Sequence, residues 1–256
     1  MPMAFTRVQK KSSSGYQIQF VRGNPDCAAF YEWVHGQLTE VTKAWPPKIT
    51  KLESGRKGNL GEFLSFKVAR ESGLYGKKNG YTVALVGALT PLQDGAPPGL
   101  DITIVHLDPA GNESKDCLYI MEIKTTGSMT LTYATALIDD YEKLLGKTTV
   151  AGSLGQRLNW LVGYLKEVHE FDVLALERVG RLFMPDPKDC DRIKLLPTLV
   201  HDRLAGDVAA SEALGDVAIK IQKQGWGLKT IEPWSIAING LTKCFIHLSN
   251  NESSMP

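Results

Sequence analysis

The sequence is poor in the residues that hold metals through sulfur or imidazole. Its four cysteines, Cys27, Cys117, Cys190 and Cys244, are scattered with no CxxC pair, and its five histidines are equally dispersed. That spacing excludes a zinc-finger module and leaves the cysteines as reduced thiols of the core or surface. His169-Glu170 lacks the second histidine of HExxH, and His201-Asp202 is an isolated dipeptide, so both histidines are expected to be structural. No apolar run approaches the roughly 20 residues that a membrane span requires. The start, MPMAFTRVQKKSSSG, is basic without the apolar stretch of a signal peptide. The expectation is a cytoplasmic protein with no membrane partner. Internal repeats, heptads and low-complexity linkers are also missing, which excludes solenoid and coiled-coil architectures.

What is present suits a folded enzyme or binding domain. The chain has 256 residues, 43% of them hydrophobic, and a formal net charge of +1. The charges are unevenly placed: residues 1–80 carry 13 Lys and Arg against 6 Asp and Glu, and the remainder 16 against 22. Such asymmetry permits a basic face for phosphates, and equally permits two ordinary solvated surfaces.

Periodicity divides the chain into elements. A strand is expected at Tyr16 to Arg22, then an amphipathic helix from Asp26 to the Pro46-Pro47 stop. NLGEFLSFKVARESG has its apolar residues at helical spacing, which predicts a second helix starting near Asn59. YTVALVGAL is strand-like, TPLQDGAPPG is a loop, and LDITIVHLD and CLYIMEIKT form two antiparallel strands across PAGNESKD. TLTYATALIDDYEKLLG and SLGQRLNWLVGYLKEVHE are expected helices, and FDVLALERVGRLFM an expected strand. A helix follows around Ala209 to Gln224, and Asn239-Gly240 in WSIAINGLTKCFIHL is a hairpin-turn signal. The pattern predicts an α/β class with a mixed central sheet flanked by helices, as one domain over 1–256. Its core spans about 16–184, and a C-terminal helix and β-hairpin extension spans about 185–250.

One strand carries unexpected charge. In LYIMEIKT alternation puts Leu118, Ile120, Glu122 and Lys124 on one face, with Tyr119, Met121 and Ile123 on the other. Because the second face is wholly apolar, Glu122 and Lys124 border the core, where charges persist only when well partnered. They could also be the solvent-facing end of a half-exposed strand. Asp101 opens the preceding strand, and in an antiparallel pair it shares their face only if it lies opposite one of them. Glu62 sits near the start of the second helix, where Asn59 and Glu62 have capping-box spacing; capping and metal binding compete for that carboxylate. Three carboxylates and a lysine on one sheet edge suit a hard divalent cation such as Mg2+ and phosphodiester hydrolysis.

The order Gly61-Glu62, then Asp101 at a strand start, then Glu122-Ile123-Lys124 in the next strand resembles the PD-(D/E)XK, or restriction-endonuclease-like, nuclease superfamily. The resemblance covers about Asn59 to Gly146, and extends to the expected strand at Phe171 if the topology holds. Leu100 stands where that motif has proline, and Pro97 and Pro98 come slightly earlier. The resemblance implies a restriction-endonuclease-like core and a metal-dependent deoxyribonuclease using Mg2+, with Mn2+ able to substitute. It assigns Asp101, Glu122 and the Ile123 carbonyl to the metal, Glu62 to the metal directly or through water, and Lys124 to the nucleophilic water. Arg56, Lys57, Lys67, Gln156 and Arg157 are candidate DNA contacts. Motif order and length are also similar to the nuclease subunit of Hachiman-type anti-phage defence systems, which implies a helicase partner that restrains DNA cleavage. A sequence- or structure-selective housekeeping or restriction nuclease, and a catalytically silent adaptor of the same fold, are the alternatives.

Overall fold

A computed structural model describes residues 5–23, 54–71, 82–87, 100–145, 153–183 and 191–250. The helix expected from Asp26 and the loop TPLQDGAPPG lie outside the described residues. The chain opens on β1 (Phe5–Lys11) and β2 (Gln17–Gly23), an antiparallel pair. Six of the seven residues of β1 are exposed, which is why no apolar alternation announced it. Next come α1 (Ser54–Glu71), β3 (Thr82–Gly87), β4 (Ile102–Leu107), β5 (Cys117–Met121) and β6 (Ile123–Thr126). A 3-10 turn at Thr132–Thr135 leads into α2 (Ala136–Leu144), followed by α3 (Leu154–Val168) and α4 (Val173–Leu182). The chain then runs through β7 (Ile193–Leu195), β8 (Thr198–Asp202), α5 (Asp207–Lys223), β9 (Trp234–Ile238) and α6 (Leu241–Asn250).

The strands form a mixed sheet in two hydrogen-bonded parts, β1-β2-β9-β8-β6 and β3-β4-β5-β7. The parts are continuous, because β5 runs into β6 and β7 into β8 with only a short break in each. Across the break Leu196 N donates to Ile120 O at 2.7 Å and Thr198 N to Glu122 O at 2.9 Å. The expected single strand CLYIMEIKT is therefore two, divided at Glu122. Both faces are covered. Leu118 and Ile120 pack with Leu137, Leu161, Val179 and Leu214 of α2 to α5. Met121 and Ile123 pack with Leu64 and Val68 of α1 and with Leu241 and Phe245 of α6. Alternation thus sends successive residues of one strand into two cores, giving a helix–sheet–helix layering.

Three expectations are corrected. The expected strand FDVLALERVGRLFM is instead helical over Val173–Leu182: Asp172 Oδ1 accepts from Ala175 N at 2.7 Å as an N-cap, and Val179 and Leu182 are buried. Exposed Val173 and Leu174 had lengthened the apolar run into a false strand. Asn239-Gly240 does not close a hairpin. Gly240, at φ 71°, turns β9 into α6, and the same left-handed backbone that favours glycine in a hairpin serves a strand-to-helix turn. Finally, residues from 191 onward are no appendage, since β8 and β9 stand at the middle of the five-stranded part, each with strands on both sides.

Candidate active site

The break at Glu122 sets the site. Ile102 pairs with Met121 in the antiparallel β4–β5 ladder, so one step further Asp101 stands opposite Glu122. That is the register that puts Asp101 on the same face as Glu122 and Lys124. Instead of continuing the ladder, the Asp101 side chain completes it: Oδ2 accepts from Ile123 N at 2.7 Å.

Helix α1 approaches this point closely because Gly61 has no side chain. A Cβ there would lie 1.6 Å from Thr125 Oγ1 and 2.8 Å from Thr125 Cβ on β6. The approach carries Glu62 to the mouth of the break. Since α1 begins at Ser54, Asn59 and Glu62 are inside the helix, and the capping-box assignment falls. A cleft of about 300 Å3 results, lined by Gly58, Glu62, Asp101, Ile123, Lys124, Thr125 and Tyr133.

Glu122 is behind this wall, 3% exposed. Its Oε1 meets Arg157 Nη1 of α3 at 2.8 Å, with the arginine side chain 11% exposed. Arg157 is thus a buried counter-ion to Glu122, which corrects its assignment as a surface phosphate contact. Lys67 is half-buried on α1. Arg56 and Lys57 also belong to α1, and Gln156 to α3, but their side chains lie outside the described residues.

Two residues that motif spacing did not single out complete the arrangement. Lys124 Nζ meets Asp140 Oδ2 of α2 at 2.5 Å. The next residue, Tyr141, donates its hydroxyl to Ile120 O at 3.1 Å and accepts from Glu122 N at 3.3 Å. Helical phase could have found them: with Leu137, Tyr141 and Leu144 buried, Asp140 is three residues from Leu137 and four from Leu144, on the inward stripe.

Four carboxylates, at positions 62, 101, 122 and 140, therefore surround two cations, Lys124 and Arg157. Burial, then repulsion from Asp101, raises Glu62 to about 8. Burial also raises Asp101 to about 6, against the pull of the Ile123 N–H and Lys124. Glu122 is raised well above its ordinary value, by burial first and by Asp101 next, more than Arg157 lowers it. Burial acts to lower Lys124, but Asp140, Asp101 and Glu122 together hold it above its ordinary value. Among the described residues no three Asp, Glu, His or Cys side chains are arranged to hold a metal ion together.

The raised carboxylates make stability pH-dependent. From their ordinary values of 3.8 and 4.5 up to about 6 and 8, the folded chain keeps protons on Asp101 and Glu62 that the unfolded chain has released. Their contribution is complete below the ordinary values and is lost as pH rises through the folded ones. Glu62→Gln should match wild type in thermal midpoint at pH 5 and exceed it at pH 8.5. Equal midpoints at both pH values would show that Glu62 is not held protonated.

The chain matches no protein-family model, and no curated protein matches it.

Proposed function

We propose that this chain is a Mg2+-dependent nuclease of the PD-(D/E)XK type that hydrolyses phosphodiester bonds in DNA. The observation that carries the proposal is the convergence of Glu62, Asp101, Ile123 and Lys124, from three separate segments, on one cleft, with Glu122 in register behind Asp101. The succession α1, β3, β4, β5–β6, the three helices α2 to α4, then β7–β8 parallel to β5–β6 supports it.

The donor types suit a hard divalent cation, which would have to draw together carboxylates that among the described residues are not gathered around one point. Their donors are carboxylate oxygens, and four acidic groups against two basic ones leave a partly buried surplus of negative charge that now favours protons. Asp101, Glu122 and the Ile123 carbonyl would hold the ion, with Glu62 direct or through water. Extended strand geometry points the N–H and C=O of one residue to the same edge, so the Ile123 carbonyl shares the edge on which Asp101 takes the Ile123 N–H. When bound, Mg2+ supplies charge stabilisation at the phosphoryl group and a more acidic water. The protein's part is positional. The Ile123 N–H aims the Asp101 carboxylate, Arg157 steadies Glu122, and Lys124 presents an ammonium to the attacking water or a phosphate oxygen.

Motif order and the basic N-terminal third support the narrower reading of a defence-complex effector restrained by a helicase subunit. The Glu122–Arg157 pair favours a second reading, a catalytically silent DNA-binding platform in which arginine replaces the metal.

Plasmid cleavage by purified protein separates these readings. Cleavage that requires Mg2+ or Mn2+ and falls by roughly 100-fold or more in Lys124→Ala and Glu122→Gln is expected. DNA binding without cleavage in any divalent ion, with or without a helicase partner, would favour the platform.

A further inference from the structure

We propose that Asp140 is a positioning residue of the nuclease site, holding the Lys124 ammonium where the reaction needs it. The inference rests on the nuclease reading and adds a residue outside the Glu62, Asp101, Glu122 and Lys124 set.

A lysine on four methylenes has many rotamers, and placing its nitrogen at one point of a cleft costs entropy unless a partner fixes it. Lys124 has such a partner in Asp140, at 2.5 Å, with the two side chains only 19% and 15% exposed. The partner is itself held in place. Tyr141, the next residue of α2, is tied to β5 and to the break residue through its hydroxyl bonds to Ile120 O and Glu122 N. The backbone of α2 is held from the far side, where Trp226 Nε1 donates to Tyr141 O at 3.3 Å and Gln224 Nε2 to Ile138 O at 2.9 Å. Lys143, the other cation on Asp140, lies at 3.4 Å from Oδ1 and leaves Oδ2 to Lys124.

Consecutive residues of one helix thus grip the two halves of the Glu122-Ile123-Lys124 motif: Tyr141 the backbone around Glu122, Asp140 the lysine head. A surface brace would not need this coupling, and exposed ion pairs contribute little. A carboxylate whose helix is anchored beside the break keeps Nζ at a constant place in the cleft that Lys124 shares with Asp101, where a displacement of about 1 Å costs on the order of 100-fold in rate.

A mutant cycle in single-turnover DNA cleavage at saturating Mg2+ tests the assignment, with DNA affinity measured in Ca2+ alongside. Asp140→Asn should lose roughly 10- to 100-fold in rate while the variant stays folded at the assay temperature and DNA affinity changes little. Asp140→Glu should recover part of the rate. Asp140→Asn combined with Lys124→Ala should be no slower than Lys124→Ala alone, because both remove one function. Wild-type rate in Asp140→Asn, or losses that add in the double variant, would overturn the assignment and leave the nuclease reading standing. Absence of wild-type cleavage in every divalent ion would overturn that reading and the role of Asp140 with it.

Discussion

Arg157→Met should cost the metal-free protein about 3–5 kcal/mol at pH 8, the range found when one partner of a buried ion pair is removed. In a chain of this size that lowers the thermal midpoint by roughly 10 °C. The pair is well inside the protein, with Glu122 3% exposed and the guanidinium 2.8 Å from its carboxylate. Methionine replaces the aliphatic stem and also removes Nε, which is buried with no hydrogen bond among the described residues, so packing loss is small and the charge effect dominates. The cost should depend on pH with a definite sign. Burial already raises Glu122, and without Arg157 it rises further. As pH falls, Glu122 takes up a proton and the uncompensated charge disappears, so the deficit is largest at high pH and shrinks toward pH 5. A divalent cation offers another route to compensation. Mg2+ should therefore raise the midpoint of Arg157→Met more than that of wild type, while a midpoint unchanged at pH 8 would show that Arg157 does not neutralise Glu122.

Gly61→Ala brings two effects of opposite sign into competition. Inside a helix, alanine is favoured over glycine by about 1 kcal/mol, so propensity alone predicts a more stable protein. Packing predicts the reverse. The new methyl would fall 1.6 Å from Thr125 Oγ1, 2.8 Å from its Cβ and 3.1 Å from its Cγ2, and a β-branched side chain on a paired strand has little room to rotate away. Overpacking typically costs about 1–3 kcal/mol and sometimes more, and an overlap this deep belongs at the upper end. The expected net result is a loss of about 2 kcal/mol or more, with α1 pushed off β6. Since Glu62 is the next residue, the proposed nuclease activity should fall as well. Adding Thr125→Ala removes Oγ1 and Cγ2 but keeps the Cβ, so it should recover part of the loss. A Gly61→Ala protein as stable as wild type would mean that α1 does not depend on this contact.

Much of the architecture was legible without coordinates. The antiparallel β4–β5 pair, the helix from Asn59 to Glu71, the helix at 154–168, and the alternation that separates Ile120 and Glu122 from Met121 and Ile123 all follow from local periodicity. Errors came where one local signal serves two structures. Asn239-Gly240 supplies a left-handed residue to a hairpin or to a strand-to-helix turn. Val173 and Leu174 extend an apolar run whether or not they are buried, and Asn59-Glu62 has capping spacing although the helix starts at Ser54.

The sequence by itself determined which groups could do chemistry: the carboxylates 62, 101 and 122, the lysine at 124, and the strand phase that sets the last two on one face. Tertiary structure alone decided their partners. Arg157 reaches Glu122 across 35 residues of chain, and Asp140 rather than Asp139 meets Lys124 because α2 turns Leu137, Tyr141 and Leu144 inward. Periodicity is a property of neighbours along the chain, whereas the charge balance of a buried site depends on how separate helices pack on one sheet.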